Sequence, residues 1–102
     1  MRRAPADCRD MTEIRREIDG LDRELVALLA VRRGYIERAA EIKRAVGLPA
    51  RIDERVEDVV ARVRAEAVGS GLDPGLAEEL WRRLIDWSIA LEEGLLGQGS
   101  GP

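Results

Sequence analysis

Three cations on one helical repeat, Arg15, Arg32 and Lys43, and a hydroxyl and a carboxyl on another, Ser88 and Glu92, are the residues of this 102-residue chain whose types and spacing could grip and act on a small anion. Arg32 is the anomaly among them. It interrupts the series Ile14, Ile18, Leu21, Leu25, Leu28, Arg32, Tyr35, Ala39, Ile42, Val46. Those spacings alternate four and three, the signature of one apolar helical seam. Burying an unpaired guanidinium in such a seam costs far more than a leucine there would contribute, so something anionic should meet it, either a ligand or a buried glutamate of the protein. Arg32 and Lys43 are eleven residues apart, about 16 Å along a helix with only about 20° of rotation, and their long side chains can converge on one small anion. Arg15 lies seventeen residues before Arg32, about 25 Å along the axis and rotated by about 100°, beyond the reach of any side chain on one straight helix. If all three grip one ligand, Arg15 comes from another copy of the chain. The plainer alternative leaves Arg15 and Lys43 as solvated flanks of the seam. Ile85, Ser88 and Glu92 follow i, i+3, i+7, which puts the hydroxyl and the carboxyl on one face at the border of an apolar stripe. For Glu92 the plainer alternative is a surface carboxylate.

Much other chemistry is excluded by what the chain lacks. With no histidine, the usual general base, the Ser-His-Asp arrangement and the commonest metal ligand are all missing. Gly69-Ser70-Gly71 lies between two helical patterns rather than after a strand, so it reads as a turn and not as a phosphate loop. The single Cys8 has no second cysteine to pair with and no histidine beside it, and reads as an inert reduced thiol. Two tryptophans and one tyrosine are too few for a base-stacking surface. The 17 basic and 20 acidic residues, net charge −3, are interspersed rather than blocked, which argues against nucleic acid and against an anionic membrane. No apolar stretch follows Met1-Arg2-Arg3 and the longest apolar run, residues 25–31, is far too short to span a bilayer, so a soluble cytoplasmic protein is expected.

The elements that must position these residues follow from period and punctuation. Residues 1–9 are expected to fray. Asp10 followed by Glu13 resembles a capping box that opens a helix running to about Val46, where Gly47, Leu48 and Pro49 stop it. Such a helix is about 50 Å long. A compact domain of this size, with a radius of gyration of about 13 Å, is only about 33 Å across, so the helix must overhang its own domain and a partner subunit is a reasonable expectation. A second helix is read at Ile52, Val56, Val59, Val60, Val63 and Ala67, its β-branched content weakening the signal. A third opens on Asp73 as N-cap with Pro74 at the first helical position, and its apolar face reads Leu76, Leu80, Leu84, Trp87, Leu91, Leu95. Short loops imply antiparallel neighbours. The expectation is an all-α domain over residues 10–96, with one long and two shorter helices, and a glycine-rich disordered tail at 97–102.

Ile14-Arg15, Ile18-Asp19, Leu21-Asp22, the run from Val26 to Leu29, Arg32-Arg33 and Lys43 together resemble the all-helical class of chorismate mutases, a likeness that extends over residues 5–95. The resemblance implies an intertwined homodimer in which each site takes one arginine from the partner, here Arg15. It implies that Arg32 and Lys43 hold a substrate carboxylate and the ether oxygen, that Ser88 adds a carboxylate contact, with Arg55 a further candidate, and that Glu92 stands where many members carry a glutamine donating to the ether oxygen. The implied reaction is the Claisen rearrangement of the dicarboxylate chorismate to prephenate in aromatic amino-acid biosynthesis, with no metal and no organic cofactor. Where the family commonly places acidic groups for the ring hydroxyl, this chain reads Arg51-Ile52-Asp53-Glu54-Arg55. Pro5-Ala6-Asp7-Cys8, Arg33-Gly34-Tyr35-Ile36 and Trp87 are similar to isochorismate-pyruvate lyases of the same fold, which makes lyase the alternative activity and a non-catalytic dimerisation module the third reading.

Overall fold

A computed structural model describes residues 2–99 of the chain. A 3-10 turn at Pro5–Asp7 precedes three helices, α1 (Met11–Val46), α2 (Asp53–Ser70) and α3 (Pro74–Gly99), and no strand occurs among the described residues. The all-α reading therefore holds, with one long helix and two shorter ones. Residues up to Gly34 form one compact unit and those from Tyr35 onward form another, α1 contributing to both.

In the first unit, Asp10 caps α1 by accepting the Glu13 N–H on Oδ1 at 2.9 Å. The reciprocal half of the expected capping box is moved one residue upstream, because the Glu13 carboxylate accepts the Arg9 N–H at 2.6 Å. The same carboxylate pairs with the Arg3 guanidinium at 2.6 Å. The Arg3 N–H donates to Glu17 at 3.1 Å, and Arg2 pairs with Glu24. Residues 2–9, expected to fray, are thus tied along the first turns of α1. The Arg3 hydrogen bond, then the Arg9 N–H, holds the Glu13 carboxyl below the usual carboxylate range. The seam itself is open: Leu25 and Leu28 are 56% and 64% exposed, and Ile18 and Tyr35 are exposed as well.

The second unit is an antiparallel pair, α2 against α3, joined to the end of α1. Both turns are closed by glycines in the left-handed region. Gly47, with φ of 75°, lets Leu48 N–H reach back to the Lys43 carbonyl at 2.9 Å. Gly71, with φ of 79°, lets Leu72 N–H reach the Ala67 carbonyl at 2.8 Å. These six-to-one bonds satisfy helix-end carbonyls and need a residue without a Cβ penalty. At the start of α3, Asp73 Oδ1 accepts the Gly75 N–H at 2.9 Å, as an N-cap with proline behind it should. The antiparallel register is read from two ion pairs, Glu57 with Arg82 at 3.0 Å and Arg64 with Glu78 at 2.8 Å.

Ala50, Val56, Val60, Ile85 and Ile89 form the core, with Val59, Trp81 and Leu96 packed against it. The valines that weakened the sequence signal for α2 are the residues that make it, since Val56 and Val60 are buried against α3. The expected apolar face of α3 needs correction. Leu76, Leu80 and Trp87 are 42%, 53% and 52% exposed, whereas Ala77, Ile85, Ser88, Ile89 and Glu92 are buried. α3 carries two apolar faces, and α2 covers the one that holds Ile85 and Ile89, with Trp81 and Leu96 packed against it. α3 also continues through Gly97 to Gly99, into the stretch expected as a disordered tail, and residues 100–102 of that stretch lie outside the described residues.

Candidate active site

The change of face on α3 moves the candidate site residues from a border to an interior. Ser88 is 3% exposed and Glu92 4%, on successive turns of the buried face. The surface reading of Glu92 is therefore overturned. From the last turn of α1, Lys43 Nζ reaches to 2.9 Å from Glu92 Oε1, with the lysine side chain only 19% exposed. The same nitrogen donates to the carbonyl of Ala50 at 2.8 Å. A solvated flanking role for Lys43 is excluded by these contacts.

The pair is incompletely satisfied. Glu92 Oε1 is fully buried, and no hydrogen bond reaches it among the described residues, although the ammonium is close. At 2.9 Å the lysine supplies the compensating charge. A buried carboxylate oxygen without a donor is costly, and an ammonium carries three donors of which Ala50 takes one. The arrangement leaves an N–H of Lys43 for a polar atom of a ligand beside Glu92. Ser88 Oγ donates to the Leu84 carbonyl of its own helix at 2.8 Å, which gives the buried hydroxyl a partner.

The other candidates are placed as follows. Arg15 and Arg32 belong to the first unit, Arg15 exposed and Arg32 half-buried. Arg55 is exposed on α2 and pairs with Asp58 at 2.6 Å. Arg51 pairs with Asp86 of α3 at 3.1 Å, and Val56, one turn on, is buried in the core. Thus the second unit brings together Lys43, Glu92 and the adjoining Ser88. Two further residues act here that sequence reasoning missed. Ala50 holds the ammonium through its carbonyl, which no side-chain pattern could reveal, and Arg44 donates to the carbonyl of Leu95, tying the end of α1 to α3 just beyond Glu92. One signal was present: Lys43 is the only lysine among 17 basic residues. Among the described residues, no helix is long and apolar enough to cross a membrane.

The sequence places this all-helical chain in a known class. Residues 14–93 match the chorismate mutase type II family, and the chain belongs to it. It is 35% identical over 83 residues to a T-protein of Enterobacter agglomerans, a match covering 81% of this chain and 22% of that protein. It is 29% identical over 86 residues to a chorismate mutase of Methanocaldococcus jannaschii, covering 84% of this chain and 87% of that one. It is also 33% identical over 89 residues to an isochorismate pyruvate lyase of Pseudomonas aeruginosa, covering 86% of each.

Proposed function

We propose that the protein is a chorismate mutase, a soluble cytoplasmic homodimer that rearranges chorismate to prephenate in aromatic amino-acid biosynthesis. Family membership supports the activity, and so does the relative named chorismate mutase, most of whose length is matched. The observation that carries the reading is the Lys43 ammonium held against the buried Glu92 carboxyl, which sets a cationic donor and a carboxyl side by side in the interior.

The reaction breaks a C–O bond as a C–C bond forms, with no proton transferred and no covalent intermediate, which suits a chain without histidine or an activated nucleophile. Negative charge builds on the ether oxygen, so donors fixed at that oxygen lower the barrier. An N–H of Lys43 is one donor, and Glu92 is the second when protonated. Arg32 and Arg15 of the partner subunit would clamp the carboxylates and hold the substrate folded, the source of much of the advantage in a unimolecular rearrangement. Ser88 would join only by turning its proton from Leu84, and Arg55 only by leaving Asp58. The exposed seam on α1, with Leu25 and Leu28 more than half in water, supports a second copy as its cover.

The test is an assay that offers chorismate and isochorismate separately. Loss of chorismate with formation of prephenate is the expected outcome. Release of fluorescent salicylate from isochorismate would favour the lyase reading, which the Pseudomonas aeruginosa relative supports. Turnover of neither would leave a helical dimerisation module.

A further inference from the structure

Lys43 is held twice by the turn that follows it. Its main-chain carbonyl accepts the Leu48 N–H at 2.9 Å, and its side-chain nitrogen donates to the Ala50 carbonyl at 2.8 Å. Ala50 is itself fixed, being 7% exposed and part of the core with Val56 and Ile85. Gly47 makes both contacts possible, because its φ of 75° folds the chain back over the end of α1. A Cβ built on Gly47 meets nothing within 4 Å, so crowding does not explain a glycine there and backbone conformation does.

We propose that the turn of residues 47–52 is the positioning element for the Lys43 ammonium, with Gly47 as its positioning residue. The turn aims the amine at Glu92 before any ligand arrives, so no side-chain ordering is left to the moment of binding. With the turn relaxed, the flexible stem of the lysine is held by Glu92 alone. For catalysis the consequence rests on the mutase reading: misplacing a donor by about 1 Å costs on the order of 10² in rate. The loss falls on kcat more than on KM, since the amine acts on the oxygen where charge develops.

Because Lys43 is the only lysine, amine acetylation reports on it without interference from other side chains, and the N-terminal amine serves as internal reference. The experiment treats the full chain and its Gly47→Asn and Gly47→Val variants with limiting acetic anhydride and reads Lys43 modification by mass spectrometry. Asparagine tolerates the left-handed region and valine does not. The expected result is slow labelling in the natural protein and in Gly47→Asn, with labelling on the order of tenfold faster in Gly47→Val as the turn opens locally. If Gly47→Val does not fold, Gly47→Ala, whose Cβ also meets open space, replaces it. In parallel, kcat for chorismate should fall in the valine variant and persist in the asparagine variant. Equal labelling of Lys43 in folded Asn and Val variants overturns the positioning role. A natural protein that turns over neither chorismate nor isochorismate, while labelling still separates the variants, overturns the mutase reading and leaves the positioning role standing.

Discussion

Lys43 Nζ and Glu92 Oε1 stand 2.9 Å apart, with side chains 19% and 5% exposed, at the junction of α1 with α3. Removing one partner of such a pair leaves an uncompensated buried charge, which is more damaging than removing both. Lys43→Met should therefore destabilise the protein by about 3 kcal/mol, and adding Glu92→Leu should recover most of the loss. Urea unfolding of the two variants and the natural protein measures this, and a Lys43→Met variant of unchanged stability would show that the pair is not held.

Glu92 donates a hydrogen bond only while it carries a proton. Glu92→Gln, a permanent donor of the same shape, should therefore keep chorismate turnover, whereas Glu92→Leu, which cannot donate, should lose it. A glutamine variant as inactive as the leucine variant would remove Glu92 as a donor to the ether oxygen.

A shared site makes a stoichiometric prediction. Arg15→Ala and Arg32→Ala should each be inactive, yet co-refolded mixtures should regain activity, because a mixed dimer contains one site with both arginines intact. Heterodimers demonstrated by mass spectrometry but without turnover would refute a site built from two copies.

Glu57 and Glu78 are both held below the usual carboxylate range, in each case first by their hydrogen bond to Arg82. Depressed folded-state values mean that these pairs stabilise the fold above the ordinary carboxylate range and lose that contribution as pH falls through the depressed range. Arg82→Gln should lower Tm at neutral pH, and the difference from the natural protein should close as pH falls below the ordinary Glu value of about 4.3 and through the depressed range. Since Glu57 is exposed and Arg82 and Glu78 are only half-buried, the effect should also shrink in 1 M salt, with the Debye length down to about 3 Å. A difference in Tm that is independent of both pH and salt would assign the effect to packing of the arginine stem.

Helix punctuation was legible because it is local. Asp10 with Glu13, Gly47 before Pro49, and Asp73 with Pro74 each act within a few residues, and all three fall where spacing put them. The buried face of α3 was not legible, because Leu76, Leu80 and Trp87 form a stronger stripe than Ala77, Ile85 and Ile89, and only packing against the valines of α2 selects the second set. The position of Glu92 inherited that error. Lys43 was found through its stripe with Arg32, but its anchoring by the Ala50 carbonyl depends on the path of a turn, which residue types do not encode. The ion pair of Glu13 was similarly hidden, since an arginine at position 3 looks like any other solvated charge until the chain doubles back.

The open leucines of α1 have a consequence for how the protein behaves on dilution. If a second copy covers Leu25 and Leu28, folding and association are one equilibrium governed by mass action. The midpoint of thermal unfolding then rises with protein concentration, and the enzyme has a concentration floor below which specific activity declines although every chain is chemically intact.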